Sequence, residues 1–276
     1  MAVQTEPASK NATVNGVRLH YLDWGNEGAQ PLLLLHGFTG HARSWDAFAR
    51  SVAGAFHVYA LDQRGHGDSA WTDEYGTQAM VDDVDAFTRQ LGLERFVLLG
   101  LSMGGRNAIN YAGTHPEEVD RLVIVDIGPE IDASGAARIQ TGVRANDVFD
   151  SREEAFEQAR RGNTVPPEEH HRYRINHNLM QTADGKWTWK YDKALRSGTP
   201  RPSIDNDQQW ANWRAIRCPI LLLRGENSDV LAPAVAERMA RENANTKLVT
   251  IAGSGHSIPL DKPEAFEAAV REWLGA

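Results

Sequence analysis

Four short runs of almost unbroken apolar residues set the limits on what this chain can fold into. They are "PLLLLHG" (31–37), "RFVLLG" (95–100), "RLVIVD" (121–126) and "PILLLRG" (219–225). Apolar side chains on consecutive positions, without alternation, suit a strand covered on both faces. "HVYALD" (57–62) and "KLVTIAG" (247–253) read the same way, and "VRLHYLD" (17–23) alternates after an Asn-Gly pair, as one arm of a hairpin does. Helix-length segments lie between the runs, at 43–55, 77–91, 103–114, 233–242 and 263–274. In 77–91, Met80, Val84, Phe87 and Leu91 fall on one helical face, with Thr77 as the expected N-cap. Pro233 and Pro263 suit a first helical turn. Strands alternating with helices predict an α/β fold, a doubly wound and mostly parallel sheet of about eight strands.

The rhythm breaks between 129 and 215. That stretch has no long apolar run and is rich in Arg, Glu, His and Trp. It reads as a helical cap inserted into a core domain made of 1–128 and 216–276. Its acidic and basic residues are equal in number, so the rest of the chain carries the net charge of −8. So acidic a chain is unsuited to sequence-independent nucleic-acid binding, which needs clustered Lys and Arg. No apolar stretch approaches the length of a membrane span. The start, "MAVQTEPASKNATVNG", has no apolar signal region, and Cys218 is the one cysteine of the 276 residues, so no internal disulfide forms. The expectation is a cytoplasmic monomer or homodimer that uses no metal and no cofactor.

In open α/β sheets, ligands bind beyond the C-terminal ends of the strands, and unusual residues collect there. Gly100-Leu101-Ser102-Met103-Gly104 follows a strand and opens a helix. That is the setting in which Gly-x-Ser-x-Gly holds a serine on a sharp, strained turn with its hydroxyl exposed. A serine needs a base to take its proton. Among ten histidines, His256 in "AGSGHSIP" follows the last strand and comes after Ser and Asp in chain order. His36 reads as a residue that shapes a loop, and His20, His57, His66 and His115 as structural or surface residues. Two aspartates compete to orient the base: Asp229 after the penultimate strand and Asp126 after the one before it. Asp229 is slightly favoured, for its place directly before the last β-unit. Backbone N–H groups of Phe38 and Met103 are the expected oxyanion donors, with Gly37 letting the chain turn.

Taken together, "HGFTG", "LDQRGHGDS", "GLSMGG", "RGENSDVLAP" and "GSGHSIP" resemble the α/β-hydrolase superfamily, in particular its esterase, enol-lactonase and cofactor-free perhydrolase members. The resemblance implies hydrolysis of a small-molecule ester or lactone through an acyl-enzyme. Amide hydrolysis, C–C bond hydrolysis and perhydrolysis share the same triad, and a non-catalytic binding protein on this fold is the alternative of another class. "VDIGP" resembles a subset in which the acid after that strand completes the triad, which brings Asp126 level with Asp229. The resemblance makes "LDQRGHGDS" a structural turn. Dehalogenase and epoxide-hydrolase relatives carry aspartate at the elbow, where this chain has Ser102.

Two readings of the cap follow from its arginines, Arg138, Arg144, Arg160, Arg161, Arg172 and Arg174 among them. One or two of them face a substrate carboxylate, which the guanidinium fork suits, or all belong to a solvated, salt-bridged surface. The equal counts of acids and bases favour the surface. "KWTWKYD" (186–192) reads as tryptophan packing rather than pocket wall.

Overall fold

The structure is a computed structural model that describes residues 6–132, 134, 135, 137, 141, 147–197 and 202–276. Arg138 and Arg144 lie outside the described residues. The chain opens with β1 (Ala8–Val14), β2 (Val17–Asp23) and β3 (Gln30–Leu35), then α1 (Asp46–Val52), β4 (Phe56–Leu61), α2 (Thr77–Gln90), β5 (Phe96–Leu101), α3 (Met103–Thr114) and β6 (Val119–Val125). The inserted stretch carries β7 (Val148–Phe149), α4 (Arg152–Gly162), α5 (Glu168–His177), β8 (Leu179–Gln181), β9 (Trp187–Trp189) and α6 (Asn206–Ala215). The chain ends with β10 (Ile220–Gly225), α7 (Pro233–Glu242), β11 (Thr246–Ile251), α8 (Ile258–Asp261) and α9 (Pro263–Leu274).

Eight strands form one sheet in the order β1-β2-β4-β3-β5-β6-β10-β11. β1, β2 and β4 pair antiparallel, and every other pairing is parallel. The apolar runs are buried because helices cover both faces. Leu33, Leu35, Leu98 and Leu122 pack beneath α2 and α3, while Leu32, Leu34, Val97 and Leu223 pack against α1 and α9. Register aligns the strand ends. Leu35 sits beside Gly100, Gly100 beside Ile124, and Val125 beside Leu223. The residues after these positions therefore emerge at one sheet edge.

Two local expectations shift. Helix α2 takes Gly76, not Thr77, as its N-cap, and the Thr77 N–H donates to the Pro202 carbonyl at 3.0 Å. Within the inserted stretch, β7, β9 and β8 form a small sheet of their own. Trp189 there stacks on Tyr191, and both join Phe149, Phe156 and Ile175 in a cluster seated on Tyr75, Met80, Phe38 and Met103. Helix α6 belongs elsewhere. Its Trp210 and Trp213 are buried in the main core, the Trp213 indole N–H donates to the Met239 carbonyl at 2.9 Å, and Asn212 donates to Asn110 on α3. Among the described residues, no helix is long and apolar enough to cross a membrane.

The turn "LDQRGHGDS" wraps the buried Asp62 carboxylate. It accepts hydrogen bonds from His20 Nδ1, Ala42 N–H and Asp68 N–H, and a Cβ on Gly67 would lie 2.2 Å from it. His20, Asp62 and Asp68 form a group of metal-ligand type, but these hydrogen bonds already occupy the Asp62 oxygens. Burial pushes Asp62 up; the hydrogen bond from His20 and the fields of His36 and His20 win and leave it at about 2. A carboxyl held below its unfolded value of 3.8 stabilises the fold above that value, and the contribution vanishes as pH falls through the folded value. Asp62→Asn is therefore expected to cost about 2 kcal/mol near neutral pH. Urea midpoints taken from pH 7 to pH 2 should show the gap between wild type and variant closing below about pH 4. A gap that is constant across that range would contradict this.

Candidate active site

Ser102 sits between β5 and α3 with φ 53° and ψ −117°, a conformation that non-glycine residues rarely adopt. The glycines around it remove collisions with backbone. A Cβ on Gly100 would lie 2.4 Å from the Gly104 carbonyl oxygen, and one on Gly104 would lie 2.3 Å from that of Leu35. The turn is fixed at both ends, since the Ser102 N–H donates to Val125 O at 3.0 Å and the Arg106 N–H donates to Ser102 O at 2.8 Å.

His256 reaches this serine from the loop after β11. Its Nε2 lies 2.9 Å from Ser102 Oγ, and its Nδ1 lies 2.8 Å from Asp126 Oδ2. A carboxylate only accepts, so Nδ1 carries the proton and Nε2 keeps a lone pair for the serine hydroxyl. Asp126 is fully buried and has φ 52°. Besides His256 it accepts from the Gly225 N–H at 2.8 Å and from the Ser228 hydroxyl. Of the two aspartates that stood level in the sequence, Asp126 is the one hydrogen-bonded to His256. Nδ1 has one in-plane hydrogen bond to give, and Asp126 holds it. The loop after β10 contributes Gly225 and Ser228 to that carboxylate, and Asp229, half-buried, follows them.

The loop after β3 passes close to the serine, for a Cβ on Gly37 would lie 3.3 Å from the Ser102 Cβ. Phe38 follows Gly37, and Met103 is the first residue of α3, where an N–H has no carbonyl four residues back. His36 holds this loop. Its Nδ1 donates to the Gly37 carbonyl at 2.8 Å and its Nε2 accepts from the Gln63 N–H at 3.0 Å. Gln63 returns a hydrogen bond to the His36 carbonyl and accepts one from Asn107. Burial lowers the His36 pKa, as a ring that shapes a loop while neutral requires. His20 and His57 are likewise tied to Asp62 and Asp23.

A cavity of about 620 Å³ opens over Ser102 and His256. Its floor includes Phe38, Leu101 and Leu260; its roof includes His171, Arg174 and Tyr191. Roof and floor are linked. Asn178 donates to the Thr39 carbonyl, His41 Nε2 donates to the Arg174 carbonyl, and Asn163 donates to Asp261. Asp261 in turn accepts from the Gly255 N–H, next to His256. Of "KWTWKYD", Tyr191 alone is a wall residue of the cavity, and the two tryptophans pack the roof. Sequence reasoning missed Ser228, Gly225, Gln63 and Asp261. These act through backbone or hydroxyl contacts that no local pattern announces.

The sequence profile of the alpha/beta hydrolase fold matches residues 30–263. This chain belongs to that family. The hydrolase is 31% identical to N-formylmaleamate deformylase of Pseudomonas putida, over 99% of this chain and 98% of the relative. It is 28% identical to an esterase of Mycobacterium tuberculosis, over 91% and 84% of the two chains. Among solved structures, an alpha/beta hydrolase from Novosphingobium aromaticivorans superposes with a TM-score of 0.86 at 27% identity, covering 98% of each chain.

Proposed function

We propose that this hydrolase cleaves a carboxylic ester or lactone of a small molecule through an acyl-enzyme. The observation that carries the reading is the unbroken line from Ser102 Oγ to His256 Nε2 and from His256 Nδ1 to Asp126, at 2.9 and 2.8 Å. Ser102 Oγ attacks the carbonyl carbon while its proton passes to Nε2. The N–H groups of Phe38 and Met103 receive the oxyanion, at the N-terminus of α3, where negative charge is favoured. Collapse expels the alkoxide, which takes the proton from Nε2. Water then gives a proton to Nε2, attacks the acyl carbon and releases the acid, and Ser102 recovers its proton. Asp126 keeps the imidazole in the working tautomer and stabilises its charged form. The inserted stretch serves as the cap over this cavity, and the enzyme works in the cytoplasm.

Similarity to a deformylase over nearly the whole chain favours a second reading, in which the same residues open an N-acyl amide. There His256 must protonate an amine as it leaves, so orientation of Nε2 matters more. Comparing a short-chain ester with its matched N-acyl amide separates the two.

The test of the reading is covalent. A fluorophosphonate should label wild-type protein at Ser102, and a p-nitrophenyl ester should give a burst of about one equivalent. Ser102→Ala should abolish both. A folded wild-type protein that does not label would overturn the proposal.

A further inference from the structure

The cavity roof carries an arginine that, among the described residues, no acid pairs with. Of the arginines that line the cavity, Arg43 is paired with Asp46 at 3.0 Å and Arg50 with Glu6 at 3.3 Å. Arg174, on α5, also lines it, yet among the described residues no carboxylate lies within ion-pair distance of its guanidinium. The acid whose field reaches it is Asp261. The oxygens of Asp261 are taken by Asn163 at 2.8 Å and by the Gly255 N–H at 2.9 Å. Burial pulls the Arg174 pKa down, the sign of a desolvated cation.

Its neighbours leave polar atoms unpaired as well. His171, on the same helix and the same cavity wall, is 2% exposed, and its Nδ1 is buried without a hydrogen-bond partner. Burial, then the fields of Arg174 and Arg160, hold this histidine at about 4, so it is neutral near pH 7. One nitrogen of the Arg160 guanidinium, Nη1, is buried without a partner too. Uncompensated charge and unpaired polar atoms are costly inside a protein. Here Arg174 and His171 both line the serine's cavity, while Asp46, Glu6 and Glu267 on its walls are paired with other arginines. Tyr191, pushed up to about 12 by burial, stays a neutral wall residue there.

We propose that Arg174, with His171, forms a site for a carboxylate of the substrate other than the one that is cleaved. The inference rests on the hydrolase reading and narrows its substrate class to acids that carry a free carboxylate as well as the scissile ester, lactone or amide. The planar fork of Arg174 donates two parallel hydrogen bonds to the carboxylate. The unpaired Nδ1 of His171 belongs to a side chain on the same cavity wall.

Two p-nitrophenyl esters of matched chain length test this, the monoester of glutaric acid and the ester of pentanoic acid. Wild type should favour the charged ester in kcat/KM by about 100-fold, the scale of a desolvated charge pair. Arg174→Met should bring that ratio close to one, and Arg174→Lys should leave it between the two. A merely structural arginine would lower both esters together and keep the ratio, and that result overturns the proposal. So does a wild type that prefers the neutral ester, whatever the variants do. Fluorophosphonate labelling of wild type identifies which idea has failed. Labelling without charge preference removes the carboxylate site alone, whereas a folded protein that does not label removes both.

Discussion

Replacing Asp126 by Asn should lower kcat by about 10⁴-fold, whereas Asp229→Asn should stay within a few-fold of wild type. The Asp126 carboxylate receives three donors, from His256, Gly225 and Ser228. Two of them, His256 and Ser228, meet Oδ2, and Gly225 meets Oδ1. An asparagine has a single oxygen to offer. Turned one way, its NH₂ group faces His256 and Ser228; turned the other, it faces the Gly225 N–H. In the first case the imidazole must move its proton to Nε2 to accept from the amide, and Nε2 then cannot take the serine's proton. In the second, a buried N–H is left facing a donor, at a cost of about 1–3 kcal/mol, and the carboxylate that stabilises the imidazolium is gone. Steady-state kcat on a p-nitrophenyl ester, with urea midpoints to confirm folding, checks both variants. A large loss in Asp229→Asn with little in Asp126→Asn would reverse the assignment.

Why two aspartates stood level in the sequence is visible in the sheet. β6 and β10 are neighbours, with Val125 beside Leu223, so the loops after both strands open toward the same histidine. Choosing between them requires the positive φ of Asp126 and the turn at Ser228, and neither has a periodic signature. The strands were legible because burial on both faces leaves unbroken apolar runs, a local property of the chain. The serine turn was legible because steric exclusion at Gly100 and Gly104 admits so few residue types. The roof was the opposite case. "EEHHRYRINH" on α5 carries no clean apolar stripe, and an equal count of charges hides that Arg172 is paired with Glu153 and Glu168 while Arg174, two residues on, is not. Charge balance over a segment says nothing about which cation is left facing a cavity. The extent of the roof was hidden for a related reason. Trp210 and Trp213 sit in the inserted stretch by sequence, but a tryptophan packs on whichever apolar face it meets, and α6 met α3.

Gly104→Ala should cost about 3 kcal/mol or more in stability and lower kcat of the folded fraction by 10²–10³-fold. The added methyl would lie 2.3 Å from the Leu35 carbonyl oxygen and 2.6 Å from that of His36. Both obstacles are backbone, so no side-chain rotation relieves the contact. Either α3 shifts outward, taking the Met103 N–H and Ser102 with it, or the loop after β3 gives way, taking the Phe38 N–H. Each route pulls apart the two donors that the proposed reaction uses for its oxyanion, and such donors lose most of their effect when misplaced by an ångström. The loop resists moving because His36, Gln63 and Asn107 bind it from behind. The helix resists because its first turn is tied to Ser102. Gly92→Ala is the matched control, since Gly92 has φ +67° after α2 with nothing within 4 Å of its would-be Cβ. It should lose only the left-handed backbone term, about 1 kcal/mol, and keep its kcat. Urea denaturation and burst kinetics on both variants read the two effects separately. Wild-type turnover in Gly104→Ala would mean that α3 and the loop after β3 need not be in backbone contact for the chemistry to run.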